Sequence, residues 1–323
     1  MQSFSDTTAP RLDPLPGVIR AGGIQFIRVS GEDAVKFLHG QFTQAVQGLG
    51  NRTTLAGYCS PKGRLLALMR VWMEGPDVML AMPAVMVEGF LKRLRMYVLR
   101  AKVIFTPVDP MPEVLLFVGE AGAEAAARLG LKLPAAGEVA REDGWTLLGL
   151  SEARAIAGFC AGGARTLAVV PAGAALPFEP APDAWRTAAV IAAGMPQILP
   201  ATREAFVPQH VNLELVGGVS FRKGCYPGQE VVSRVEHIGE TNRRAAIGLL
   251  KADRTVEAGA PVYSAGDQAG TVVLSSRIGG ETLILFSATL GSLIAGVSLE
   301  PAGEPLELIE LPYRYRNILK DPA

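Results

Sequence analysis

Phe221-Arg222-Lys223-Gly224-Cys225-Tyr226-Pro227-Gly228-Gln229-Glu230-Val231-Val232-Ser233-Arg234 gathers a thiol, an ammonium, two glycines, a proline, an amide and a carboxylate into one short stretch. The apolar pieces Leu215-Val216 and Gly217-Gly218-Val219 lead in, and Val231-Val232 leads out. So much glycine and charge is incompatible with a buried strand. Gly224 and Gly228 admit backbone angles closed to other residues, and Pro227 fixes a turn dihedral and removes a donor. Glycines on both sides of Cys225 would let other backbone or a ligand approach. Lys223 is near enough in sequence to favour the thiolate, the nucleophilic form. A helix is expected to start near Gln229. By spacing alone the stretch reads equally as a plain turn into that helix or as the seat of a reactive thiol, because no His or Cys stands at a fixed offset from Cys225.

Working outward, the 323 residues suggest two or three domains. Hydrophobic residues make up 49% of the chain, ample for several cores, and charged residues only 19%. The 31 basic and 31 acidic residues cancel, so net charge gives no argument for nucleic-acid binding. Cys59, Cys160 and Cys225 are far apart and form no Cys-x-x-Cys pair, which fits a reducing compartment rather than a disulfide framework. Met1 to Pro16 reads as a frayed leader without an apolar signal core. Val78 to Phe90, the longest apolar stretch, is broken by Pro83 and Glu88 and is too short to span a bilayer. The expected location is the cytoplasm, with no membrane and no direct nucleic-acid contact.

Upstream, strands are expected at Val18-Ile19-Arg20 and Ile24 to Val29. Ser30 reads as the N-cap of a helix through Ala34, Phe37 and Leu38, with Asp33 close to a capping box. Tyr58-Cys59-Ser60-Pro61-Lys62-Gly63-Arg64 reads as a hairpin tip, between a strand and the apolar run Leu65 to Trp72. Asp77 to Met82 is a further strand. Ala84 to Leu94 has helical spacing, with Val87, Phe90, Leu91 and Leu94 on one face. Lys92, Arg93, Arg95, Arg100 and Lys102 then make a basic patch, either a solvated helix end or a seat for an anionic tail. Val98 to Phe105 is expected to return as a strand. Val114 to Val118, a helix around Gly122 to Leu129, Trp145 to Leu150 and Arg165 to Val170 suggest another αβ unit. Asp183 to Ala193 reads as a helix ending at Gly194. Beyond Arg234, short β runs separated by glycine suggest a small antiparallel barrel.

Several chemistries find no support. His39, His210 and His237 lack the i, i+4 spacing of a helical zinc pair, so no stable metal is expected. His237 could lie near Cys225, which would make a Cys–His pair, but spacing does not decide it. Neither a P-loop nor a Gly-x-Gly-x-x-Gly fingerprint is present. Cys59, beside Lys62 and Arg64, reads as a half-buried side chain and Cys160 as core. Cys225 is the candidate reactive thiol.

The pattern Lys-Gly-Cys-Tyr-x-Gly-Gln-Glu at 223–230 resembles the signature of the YgfZ family, folate-binding proteins connected with iron–sulfur enzymes and related to the glycine-cleavage T-protein. Val29 to Thr43, Tyr58 to Leu65 and Phe206 to Leu213 are also similar to family segments. The resemblance implies an α+β, T-protein-like fold: two interleaved αβ domains and a C-terminal antiparallel β-barrel around a central cavity that binds tetrahydrofolate. The corresponding blocks would be 1–110, 111–240 and 241–323. It further implies that Lys223, Gly224, Cys225, Tyr226, Gly228, Gln229 and Glu230 carry the site, with Gln209 and Asn212 at the folate cavity and Cys225 and Lys223 the reactive pair. Implied partners are folate and iron–sulfur client or assembly proteins, the latter including radical enzymes that thiolate tRNA, with the chain itself a monomer. Two departures from the T-protein pattern stand out. Leu65, Leu66, Ala67 and Leu68 occupy the place of its catalytic Asp, and none can act as a general base. Ala192-Ala193-Gly194 stands where a Glu would hold the pterin. An aminomethyltransferase or demethylase is therefore the lesser reading. The expected centre is a single accessible sulfur at a glycine-lined bend facing a cleft.

Overall fold

The apolar runs punctuated by glycine and proline become strands, and the runs with helical spacing become short helices. The computed structural model describes residues 16–237 and 241–315, so the expected leader lies outside the described residues except for Pro16. In chain order the elements begin with β1 (Val18–Arg20), β2 (Ile24–Ser30), α1 (Ala34–His39), β3 (Thr54–Cys59), β4 (Leu65–Glu74), β5 (Asp77–Pro83), α2 (Val87–Arg95), β6 (Ile104–Pro107) and β7 (Val114–Val118). There follow α3 (Gly119–Arg128), β8 (Val139–Glu142), β9 (Trp145–Ala153), β10 (Gly163–Val169), α4 (Ala184–Ala192) and α5 (Gln229–His237). The chain then runs through β11 (Arg243–Leu250), β12 (Pro261–Ser264), β13 (Asp267–Ile278), β14 (Glu281–Thr289), α6 (Leu290–Ala295) and β15 (Glu307–Ile309).

The strands form three sheets with orders β3-β4-β5-β2-β6, β1-β7-β10-β9-β8 and β12-β13-β14-β11-β15. β1 joins the second sheet, although it precedes all strands of the first. One apolar cluster runs from Ile27 and Leu80 in the first sheet through Leu116 in the second to Ile247 and Leu285 in the third. The three layers therefore share a core.

The expected C-terminal barrel is not closed. The third sheet keeps two short edges, β12 and β15, which do not pair with each other. The gap is spanned instead by single-residue bridging, as Ser298 pairs with Tyr263 on one side and Pro305 on the other. Two local expectations also change. Ser30 ends β2, and Asp33 stands at the head of α1 without capping it. Its carboxylate accepts a hydrogen bond from the Lys102 backbone N–H at 2.8 Å instead. That contact pins 98–103 as irregular chain, so the returning strand begins only at Ile104.

The irregular segment 199–220 is the joint between the first and third sheets. An irregular buried segment must find partners for its backbone outside regular ladders. Leu65 N–H donates to Phe206 O at 2.8 Å, and Glu204 N–H donates to Leu65 O at 2.8 Å. Thr43 Oγ1 donates to Gly218 O at 2.6 Å and accepts from Gly57 N–H at 2.7 Å. Asn212 adopts a left-handed conformation (φ 58) that Asn tolerates better than most residues. Its side-chain amide accepts from Ala245 N–H at 3.2 Å and donates to Ala245 O at 2.9 Å, so it acts as a partner strand for the start of β11. Beside it, Glu214 and Arg244 form a buried ion pair.

Asn212→Ala should lower unfolding free energy by about 2–4 kcal/mol, since it strands the buried Ala245 N–H, while the Ala245 carbonyl keeps the Tyr315 hydroxyl, and forces Ala into a left-handed angle. Chemical denaturation monitored by circular dichroism would measure this, and a loss below about 0.5 kcal/mol would remove Asn212 from this role.

Candidate functional site

The 221–228 stretch is a loop fixed at two points. Lys223 Nζ donates to the carbonyls of His39 and Phe42, the latter at 2.7 Å, which ties the loop to the end of α1. The same ammonium sits 4.8 Å from the centroid of the Tyr226 ring, within cation–π range. Tyr226 itself is buried. Between these anchors Gly224 and Cys225 form the crest of the loop, and both are exposed. Cys225 is exposed where Cys59 and Cys160 are buried. It lines none of the hollows described below.

Gly228 (φ 79) explains why the sequence needs glycine before α5. A Cβ there would lie 2.4 Å from Ser60 O and 2.6 Å from Gly63 Cα. Gly63 (φ 70) answers from the β3–β4 hairpin, where a Cβ would meet Val231 Cβ at 2.8 Å. The two motifs read separately in the sequence thus interlock backbone against backbone. Gly224 departs from expectation: its φ is not left-handed, and a Cβ there would meet nothing within 4 Å. Cys59 lies fully buried at the end of β3 rather than in the hairpin tip, and burial pushes its thiol up to about 12. It neighbours the buried Tyr226 hydroxyl, which has no hydrogen-bond partner and is shifted upward, mainly by burial.

Burial pushes the Lys223 ammonium down to about 8, while nearby Cys225 acts in the opposite direction. Gln229 opens α5, and Glu230 pairs with Arg234 one turn on at 2.9 Å, exposed on the helix surface. Gln209 and Asn212 are wholly buried. Gln209 Nε2 donates to Val232 O at 2.8 Å, which holds α5 on the joint. The structure therefore brings Lys223, Cys225 and Tyr226 together, and uses Gln209 and Asn212 to connect elements behind them. His39 accepts weakly from Val46 and Gln47 N–H at 3.4 and 3.3 Å, and its imidazole is shifted downward by burial and then by Lys223. The side chain of His237 lies outside the described residues. Among those residues no cluster of three His, Cys, Asp or Glu is placed to hold a metal. No helix among them is long and apolar enough to cross a membrane.

A hollow lies elsewhere, between the first two sheets and α4. Its inner part is lined by apolar side chains such as Leu55, Leu68, Leu116 and Met195 together with Arg70, Arg165 and Arg186. An outer part of about 450 Å³ shares Leu55, Arg70 and Met195 with it and adds Arg52, Thr54 and Gln44. That volume falls in the usual range for small-molecule sites, roughly 300–1,000 Å³. Neither part has an acidic lining residue. Cys225, Gln209 and Asn212 line neither part. The stretch at the place of the T-protein Glu is closed over: a Cβ on Gly194 would be 2.7 Å from Leu311 Cδ2 and from the Tyr313 hydroxyl, and that hydroxyl donates to Gly194 O. Of the basic patch, Arg93 lines a separate cavity together with Arg203 and Tyr58, whereas Lys92 and Arg95 line another.

Arg70 and Arg165 were missed in the sequence, although each carried a signal. Arg70 interrupts the apolar run Leu65-Leu66-Ala67-Leu68-Met69, and Arg165 precedes the buried Leu167-Ala168. A charge in a strand that is otherwise buried calls for an explanation.

Three antiparallel sheets sharing one core place the chain in the T-protein fold class. The crystal structure of glycine cleavage system aminomethyltransferase T from Bartonella henselae matches with a TM-score of 0.62 at 15% identity, over 90% of this chain and 84% of that one. Among curated proteins, the tRNA-modifying protein YgfZ of Hamiltonella defensa subsp. Acyrthosiphon pisum is 34% identical over 249 residues, 72% of this chain and 70% of that protein. The tRNA-modifying protein YgfZ of Yersinia pestis (strain Pestoides F) is 29% identical over 303 residues, 89% of each. No protein-family model matches the chain. The chain belongs to the YgfZ family.

Gly228→Ala should destabilise the protein by at least about 2 kcal/mol, since a left-handed angle and a backbone clash coincide. Gly224→Ala should stay within about 0.5 kcal/mol of the parent. Equal midpoints for the two variants in urea would contradict the interlock. Lys223 should titrate near 8 by NMR of its labelled ε-carbon. The sign follows from the folded value lying below the ordinary 10.5: the unfolded chain binds the extra proton, so this group's opposition to folding is relieved as pH rises from about 8 to 10.5. A midpoint above 10 would refute the buried placement.

Proposed function

We propose that this chain is a folate-binding accessory protein that supports iron–sulfur enzymes and, through them, tRNA modification. The observation that carries the reading is the exposed Cys225 at the crest of a complete family signature, on a loop anchored by Lys223 and Tyr226. The curated relatives are named as tRNA-modifying proteins, which favours the same setting. Cys225 acts as a transient sulfur or cluster ligand or as a redox-sensitive thiol, and Lys223 supplies positive charge beside it. A single Cys offers one ligand where a cluster usually takes four, so a client protein or small thiol completes any cluster. An outward-facing crest suits hand-over to a protein partner. Gln229 and Glu230, at the head of α5, belong to that contact surface, and the reading places the protein in the cytoplasm as a monomer that does not itself grip nucleic acid.

Tetrahydrofolate belongs to the hollow between the first two sheets, with those sheets as the two interleaved αβ units. The residues there fit part of the molecule. Leu55, Leu68, Leu116 and Met195 suit its aromatic body, and Arg70 and Arg52 suit its carboxylates. The pterin end has no carboxylate acceptor among the lining residues. When bound, folate would supply one-carbon chemistry. Leu65, Leu66, Ala67 and Leu68, at the place of the T-protein acid, are all buried hydrocarbon and offer no general base for it. The T-protein fold favours a folate-dependent transferase or demethylase as a second reading, and the same missing acid weighs against it.

In a strain dependent on this protein, Cys225→Ala should reduce both iron–sulfur enzyme activity and tRNA thiolation while leaving protein abundance unchanged. Normal thiolation and enzyme activity at normal abundance would defeat the proposed role.

A further inference from the structure

Arg165 is almost entirely buried, at 3% exposure, and lies in the inner hollow. Its guanidinium donates to Ser151 O at 2.8 Å, Ala189 O at 3.2 Å and Ser151 Oγ at 3.3 Å, all uncharged acceptors. Arg70 is half-buried and touches the open space of both parts of the hollow. Among the described residues neither arginine makes an ion pair, and the Arg70 side chain has no hydrogen-bond acceptor. The third arginine of the inner part, Arg186, is already matched by Asp183 at 2.7 Å. Burial and, for Arg165, the neighbouring charge of Arg70 push both guanidinium groups down to about 10. Buried charges are normally paired, and two like charges side by side without a counter-ion oppose folding. The arrangement makes physical sense when an anion from outside the chain completes it.

We propose that Arg70, supported by Arg165, is the binding group for a carboxylate on a ligand with an apolar body, entering the hollow past Arg52. The planar guanidinium fork of Arg70 matches a carboxylate in two parallel hydrogen bonds. Most of the Arg165 fork is committed to Ser151 and Ala189, so it contributes chiefly charge. Arg52 is exposed at the outer rim and draws anions inward. The hydrocarbon walls favour an organic carboxylate over a strongly hydrated inorganic ion. This deepens the folate reading and rests on it for the ligand's identity: the carboxylate end, rather than the pterin, goes to Arg70.

The test uses the full-length protein, with p-aminobenzoyl-glutamate, its uncharged diamide and 5-formyltetrahydrofolate as probes in calorimetry and thermal unfolding. The acid should bind at least about tenfold more tightly than the diamide, and Arg70→Met should abolish that preference. Without ligand, Arg70→Met should unfold at the same temperature as the parent or higher, because it deletes a half-buried charge that has no counter-charge within the described residues. Equal affinity for acid and diamide, or unchanged acid binding by Arg70→Met, overturns the proposal, as does failure of the acid to bind the parent. The two readings separate cleanly. If 5-formyltetrahydrofolate binds parent and Arg70→Met alike, the carboxylate site falls and folate binding stands. If only p-aminobenzoyl-glutamate binds, and does so through Arg70, the folate reading falls and the carboxylate site stands.

Discussion

The structure depends on how an irregular, buried segment between two sheets satisfies its backbone. Residues 199–220 cannot ladder with either neighbour, so side chains take the place of strands. Asn212 completes the backbone of Ala245 on both its N–H and C=O sides, and Thr43 joins Gly57 to Gly218. Glu214 and Arg244 add a charge pair that is costly to break from one side only. Each of these groups is short or forked and reaches its partner directly. Once the segment is held, the signature loop that follows it can end in only one place, against the hairpin at Gly63.

That constraint separates two kinds of chemistry in space. The signature loop emerges on the outer surface, where Lys223 and Tyr226 hold Cys225 forward. The hollow opens between the first two sheets, lined by residues far from the signature in sequence. An exposed thiol can meet a protein partner without a channel. An enclosed, apolar, cationic space can select a small ligand without a reactive group. Any link between the two runs through the joint itself: Gln44 lines the outer hollow and donates to Gly217 O, next to the Gly218 that Thr43 holds. Ligand in the hollow and geometry at the loop thus share neighbouring backbone.

How much of this the sequence reveals depends on whether each constraint is local. The need for glycine at 228 and 63 is local, because turns and left-handed angles leave a direct trace in residue type. What glycine meets is not local: nothing in the sequence ties Gly228 to Ser60 across the intervening sheets. The third sheet reads as a barrel because β12 and β15 have strand composition, whereas closure depends on whether the two edges pair across space, which composition does not record. Cys59 reads as lying beside the charged turn because Lys62 and Arg64 follow it, yet β3 is buried on both faces from Leu55 onward, so its last residue is buried whichever way it points. The capping role of Asp33 failed because Lys102, distant in sequence, offered its N–H instead.

Arg70 is the instructive omission. In sequence it is one charge in an apolar run, and a strand can carry such a residue at its rim without consequence. The structure removes that option, since β4 is flanked by β3 and β5 and its residues before Arg70 are buried. An arginine in that position without a carboxylate opposes folding of the empty protein. A chain that only needed to fold would be better served there by Met or Leu. The cost in stability is intelligible if the site is completed by a ligand, because binding to the folded state alone then stabilises it by mass action. An unmatched charge in a central strand is thus the mark of a binding site rather than of a scaffold, and it separates the hollow of this protein from the well-matched joint that surrounds it.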